Sequence, residues 1–240
     1  MAAATDSLDF SMFSQQDFVN LVLQRSEILS DVDRPGQYIK AWMNGDAGPL
    51  EAQVARLGAT LGHRAAADMA REFEEMRPVL DGLKPKRVAD IGCGYGLIDL
   101  YFAEAYKSHL VLIDIEENEH RHFGFQPEGA AYSNLATAKS FLSANGVAAS
   151  KIKPLNPNKE DLGKQKPFDL VISLYSCGFH YPLSTYAEFF RSQVNPGGVI
   201  IVDLRAHAVD EQQALAEELG TVEILVQRPK SRRVAIRLPQ

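Results

Sequence analysis

The run Val88-Ala89-Asp90-Ile91-Gly92-Cys93-Gly94-Tyr95-Gly96 joins a short apolar segment to three glycines at alternate positions, and a helical pattern from Leu97 to Tyr106 follows at once. A strand that turns into a helix through glycines lets the backbone approach a ligand closely, because glycine carries no Cβ. Eighteen residues past Gly96, a second apolar run over 110–115 carries Asp114 near its end. A carboxylate there can accept hydrogen bonds from both hydroxyls of a ribose. Together these features predict a nucleoside site. A dinucleotide site asks for G-x-G-x-x-G, whereas position 97 is Leu97 and the third glycine falls one residue early. The G-x-G-x-G spacing suits a ligand without a pyrophosphate.

The alternation continues on both sides of this run. Strand patterns at 87–91, 110–115, 151–155, 168–174, 198–204, 222–226 and 233–238 are separated by helical patterns, as in a mainly parallel sheet. A helix is expected over 132–145, with Leu135, Ala138, Phe141 and Leu142 on one face and Gly146 past its end. Another spans 185–194 and stops before Asn195-Pro196-Gly197-Gly198; a third is capped by Asp210 and ends at Leu219. Only six residues, 227–232, separate the last two strands, so they form an antiparallel hairpin at one side of the sheet.

Residues 1–84 differ. Phe18, Leu21, Val22 and Leu23, then Met69, Phe73, Met76 and Leu80, recur at helical spacing, broken at 34–36 and 44–49. The expected organisation is a helical extension or cap over 1–84 and an α/β core over 85–240. The 240 residues, 45% of them hydrophobic, suffice for a sizeable core, and the net charge of -6 disfavours a nucleic-acid partner. Two cysteines without framework spacing, no signal-like N-terminus and no long apolar run predict a reduced, cytoplasmic protein without membrane insertion.

VADIGCGYG, Asp114 closing the second strand, FDLVIS at 168–173 and NPGGVIIVDL at 195–204 resemble the class I S-adenosylmethionine-dependent methyltransferases from about residue 86 to the C-terminus. The resemblance implies a Rossmann-like seven-stranded sheet with its last strand inserted antiparallel, in agreement with the terminal hairpin. It implies S-adenosylmethionine as cofactor, with Asp90, Gly92 and Gly94, and Cys93 between them, along its methionine part, Asp114 on its ribose and Ile115 beside its adenine. Ser173, where the fourth strand ends, joins these cofactor contacts. The family's adenine-binding side chain falls on Asn158 by distance to FDLVIS, with Asp161 as the rival.

The loop after the fourth strand faces the transferable methyl group in this fold, and here it reads Tyr175-Ser176-Cys177-Gly178-Phe179-His180-Tyr181. An imidazole titrates near pH ~6.5 and can take the proton of a hydroxyl acceptor, which makes His180 the candidate general base for O-methylation. His120 and His122 stand in an acidic segment, but no cysteine joins them and only Asp203 is acidic where metal-dependent relatives place acids, so no metal is expected. The resemblance extends to bacterial small-molecule or sugar O-methyltransferases. A small-molecule acceptor is therefore expected, in a monomer or in a homodimer formed through the N-terminal helices. An RNA or protein methyltransferase would need a basic face. The candidate is Arg228, Lys230, Arg232, Arg233 and Arg237, which read as a solvated hairpin tip. A non-catalytic cofactor-binding protein is the third alternative.

Overall fold

The computed structural model describes residues 5–116 and 133–240. Its sheet has seven strands in the order β3-β2-β1-β4-β5-β7-β6, with β1 (Arg87–Ile91), β2 (His109–Ile113), β3 (Ile152–Leu155), β4 (Phe168–Ser173), β5 (Val194–Arg205), β6 (Thr221–Gln227) and β7 (Ser231–Arg237). The first five pair in parallel, and β7 runs antiparallel to both β5 and β6. The order reverses between β1 and β4, and the crevice above such a switch point is where open α/β sheets bind ligands.

Both faces are apolar because helices cover both. Val88, Leu110, Leu112, Leu170, Ile172, Val199 and Ile201 share one cluster, and their strand neighbours Ala89, Val111, Ile113, Val171, Ile200 and Val202 belong to the other. This alternation is the period of two that a pleated strand imposes. The N-terminal helices α1 (Gln15–Gln24), α2 (Gly36–Met43), α3 (Gly48–Leu57) and α4 (Ala59–Leu83) follow the expected breaks. Leu21, Val22, Met69, Phe73, Met76 and Leu80 bury into the same cluster as β1 and β2. The sheet and the N-terminal helices thus share one core. Helices α5 (Asp99–Tyr106), α6 (Leu135–Ala144), α7 (Ala187–Gln193) and α8 (Val209–Leu219) complete the layers.

Some boundaries move for local reasons. Strand β2 stops at Ile113, leaving Asp114 and Ile115 in the loop; Asp114 N–H still donates to Leu155 O at 3.2 Å, and its carboxylate accepts the Gly94 and Glu116 N–H groups. Strand β5 takes in Asn195-Pro196-Gly197-Gly198, and the stretch before α7 is a 3-10 turn over Leu183–Tyr186. Helix α6 starts at Leu135, capped by the Asn134 side chain, which accepts from Ala136 and Thr137 N–H; residue 132 lies outside the described residues. Asp210 is not the cap of α8. Ala208 holds that position, and Asp210 sits in the first turn, where its charge complements the helix N-terminus. Among the described residues, no helix is long and apolar enough to cross a membrane.

Candidate active site

The glycine loop is fixed by its neighbours before any ligand arrives. Gly92 and Cys93 N–H both donate to Ile113 O, at 2.8 and 3.3 Å, tying the loop to the end of β2. Gly94 N–H donates to Asp114 Oδ2 and Glu116 N–H to Oδ1, each at 3.0 Å. Gly92 and Gly94 have φ of +72° and +57°, in the left-handed region that glycine tolerates best. A Cβ on Gly92 would run into the Ser176 side chain, and one on Gly94 would lie 2.7 Å from Gln24 Oε1. The two glycines let Ser176 and Gln24 approach the backbone closely where the cofactor's methionine end would lie, and Asp114 stands beside it. These residues fit S-adenosylmethionine.

Behind the loop, Asp90 and Asp99 form a buried carboxyl pair. Asp99 is fully buried, and Asp90 nearly so. Burial raises the pKa of Asp90 well above its usual 3.8, reinforced by the charge of Asp99 and a hydrogen bond with it. Burial likewise pushes Asp99 up, to about 7. The folded state therefore holds a proton that the unfolded chain has already released. The stability this contributes is present below pH 3.8 and is lost as pH rises toward about 7. Urea unfolding of the wild type should show this decline, and Asp99→Asn should flatten it. A variant whose stability falls with pH as steeply as the wild type's would remove the pair as its source.

A cavity of about 1330 Å³ opens over the switch point. Ligand pockets commonly fall in the range of roughly 300–1,000 Å³, so this one has room for a cofactor and an acceptor together. Asp90, Gly92, Cys93, Gly94, Asp114, Ile115, Asn158 and His180 all line it. Burial raises the pKa of Asp114, while the N–H groups of Glu116 and Gly94 favour its charged form. The Cys93 thiol is pushed well up by burial, so it lines the cavity as a neutral group.

Two of the sequence candidates stand elsewhere. Ser173 is fully buried and is not among the cavity's lining; its hydroxyl donates to Ile91 O at 2.7 Å and accepts Cys177 N–H at 2.8 Å, pinning β4 to β1. Asp161 caps the short turn at Leu162–Lys164 and is likewise outside the lining. Asn158 lies on the exposed rim, its N–H donating to Asn156 Oδ1 at 3.0 Å. Asn156 in turn donates to Ile115 O at 3.1 Å, which holds the loops after β2 and β3 together. His180 is half-buried, with its N–H on Ser176 O at 2.8 Å and its ring edge-on to Phe179 at 5.1 Å. His120 and His122 lie outside the described residues. Among the described residues, no group of three His, Cys, Asp or Glu is placed to hold a metal.

The N-terminal helices supply much of the remaining wall. Gln24 and Arg25 from the end of α1, and Asp68, Glu72 and Glu75 from α4, all line the cavity. Tyr95, inside the glycine run, donates to Asp17 Oδ1 at 2.9 Å and accepts from Asn20 at 3.1 Å, so α1 is bolted to the loop itself.

The basic hairpin needs correction. Arg233 is fully buried and makes a two-pronged pair with Asp203, at 3.0 and 2.8 Å, while also pairing with Glu72 and Glu75. Arg228 reaches Glu75 at 2.5 Å and Glu72 at 3.4 Å. Their partners lie 153 or more residues away along the chain for the two shown by hydrogen bonds from Arg228 and Arg233 to Glu75, beyond what a local charge pattern shows. Arg228 lines the cavity, Arg233 is buried behind it, and these two arginines offer no solvated basic face.

A family model described as a methyltransferase domain matches residues 61–232, most of the chain. The chain belongs to this family, the class I S-adenosylmethionine-dependent methyltransferases. Among solved structures, it is similar to a ribosomal protein L11 methylase from Lactobacillus delbrueckii subsp. bulgaricus, at 19% identity over 74% of this chain and 80% of that one, with a TM-score of 0.52. It is also similar to magnesium protoporphyrin IX methyltransferase from Synechocystis PCC 6803 with bound S-adenosylmethionine, at 16% identity over 76% and 84%, TM-score 0.50. An O-methyltransferase family protein from Burkholderia thailandensis is 11% identical over 73% of this chain, with a TM-score of 0.47, and the chain spans 60% of its length. At these identities the likeness is one of fold. A search of curated proteins gives no significant match.

Proposed function

We propose that the chain transfers the methyl group of S-adenosylmethionine to a hydroxyl of a small molecule, in the cytoplasm, with residues 1–84 serving as a cap over the 85–240 core. The observation that carries this reading is the joining, in one cavity, of the Gly92–Gly94 backbone, Asp114 and His180. Bound S-adenosylmethionine supplies a methyl group on a sulfonium, an electrophile with a neutral leaving group. What remains for the protein is alignment and removal of one proton.

Asp114 orients the ribose, and the glycine backbone admits the methionine end. Ser176 stands against Gly92 and pairs with the Tyr181 hydroxyl at 3.1 Å, so the loop after β4 reaches the reacting end of the cavity. His180 on that loop takes the acceptor's hydroxyl proton as the oxygen–methyl bond forms and the sulfur–methyl bond breaks. A small acceptor is favoured by the wall that α1 and α4 build and by the internal pairing of Arg228 and Arg233. Asn158, on the rim, takes the adenine amino group in this reading, supported by its place in the cavity lining.

General-base catalysis contributes roughly 10²–10⁴-fold. His180→Ala is accordingly expected to lower S-adenosylhomocysteine formation, in the presence of a hydroxylated acceptor, by about 100-fold or more. Its affinity for S-adenosylhomocysteine should be unchanged. Undiminished turnover would remove His180 as the base.

A further inference from the structure

Two strands along the sheet from the glycine loop, the cavity wall carries positive charge that no ion pair among the described residues neutralises. Asp203 and Arg205 project from the same face of β5, continuing the buried positions Val199 and Ile201. Asp203 is occupied by Arg233, and Arg25, Arg228 and Arg233 are matched by Glu72, Glu75 and Asp203. Arg205 is left over. Its guanidinium lies 4.5 Å from the centroid of the Phe179 ring, and among the described residues it has no ion-pair partner. Burial is the one influence on its pKa, which it lowers.

The hairpin tip brings two more cationic groups to the same place. Arg205 faces Ser231 across the β5–β7 ladder, and Ala206 N–H donates to Lys230 O at 3.0 Å. Lys230 is exposed on the cavity wall and has no ion pair among the described residues. Arg228 N–H donates to Ser231 O at 2.8 Å, and its Nη1 is buried with no hydrogen-bond partner among the described residues. The other edge of Arg228 is held by Glu72 and Glu75, so the charges left open to a ligand are those of Arg205 and Lys230. Among the described residues, the exposed Glu27 also lines the cavity, on the 3-10 turn Ser26–Leu29 that follows α1, and makes no ion pair with Arg205 or Lys230.

We propose that this end of the cavity binds the carboxylate of the acceptor, held by Arg205 and Lys230 with Phe179 flanking it, so that the substrates are carboxylate-bearing small molecules. A planar carboxylate matches the fork of a guanidinium, and the aromatic ring beneath Arg205 keeps that fork facing the ligand. The inference rests on the methyltransferase reading above and narrows its acceptor.

The test is calorimetric titration of the protein loaded with S-adenosylhomocysteine, using 4-hydroxybenzoate and 4-hydroxybenzamide, which differ in charge at one end. The benzoate is expected to bind at least about tenfold more tightly. Arg205→Met should erase that preference, and Arg205→Lys should restore part of it. Lys230→Ala, a change at an exposed position, should weaken the benzoate alone. Equal binding of the two compounds, binding of neither, or a preference that survives Arg205→Met would overturn the inference in protein that still binds S-adenosylhomocysteine. Failure to bind S-adenosylhomocysteine would strike the methyltransferase reading instead.

Discussion

Asp114→Ala is expected to weaken S-adenosylhomocysteine binding by at least about 100-fold while leaving the chain folded. Hydrogen bonds to a charged group contribute about 1.5–3 kcal/mol each, and two from the ribose hydroxyls amount to roughly 3–6 kcal/mol, where about 1.4 kcal/mol is a factor of ten. The same carboxylate accepts Gly94 and Glu116 N–H, so its loss also frees the loop that must stay in place for the cofactor. Both N–H groups lie beside the cavity, where water can replace the carboxylate, which limits the cost to folding. Calorimetry on wild type and variant measures the effect directly. Affinities within about threefold of each other, less than a single such hydrogen bond, would detach Asp114 from the ribose.

The second large effect concerns stability. Arg233→Met should cost about 3–5 kcal/mol in urea unfolding, because removing one member of a buried ion pair leaves the other buried and uncompensated. Here Asp203 loses its two-pronged partner, and Glu72 and Glu75 lose a shared cation. Asp203 also accepts Tyr175 N–H at 3.1 Å, and Tyr175 holds a φ of +51° at the start of the loop that carries His180. Disturbing Asp203 should therefore reduce turnover in the fraction that remains folded. The double change Arg233→Met with Asp203→Leu should recover much of the lost stability, since it removes both charges. A single variant within about 1 kcal/mol of wild type would mean that the pair does not hold the hairpin to the sheet.

The sequence carried the sheet because each strand repeats a local signal. The apolar runs, the glycines at 92, 94 and 96, and the six-residue gap before the last strand are features of adjacent residues. That Asp114 stands beside the glycine loop was legible for the same reason, as a carboxylate at a fixed distance from it. Ser173 was misplaced because a hydroxyl at a strand end can face the crevice or the backbone, and only the registers of β1 and β4 show that it reaches Ile91 O. Arg233 read as solvated because its neighbours are basic, whereas its partners come from α4 and β5. The contribution of α1 was hidden likewise, since the contact from Asp17 to Tyr95 spans 78 residues.

The central claim is that this chain binds S-adenosylmethionine over its glycine loop in order to transfer the methyl group. Titrating the wild-type protein with S-adenosylhomocysteine by calorimetry tests it most directly. One saturable site per chain, competed by S-adenosylmethionine and lost in Asp114→Ala, is the predicted result. A wild-type protein that takes up neither compound would contradict the account.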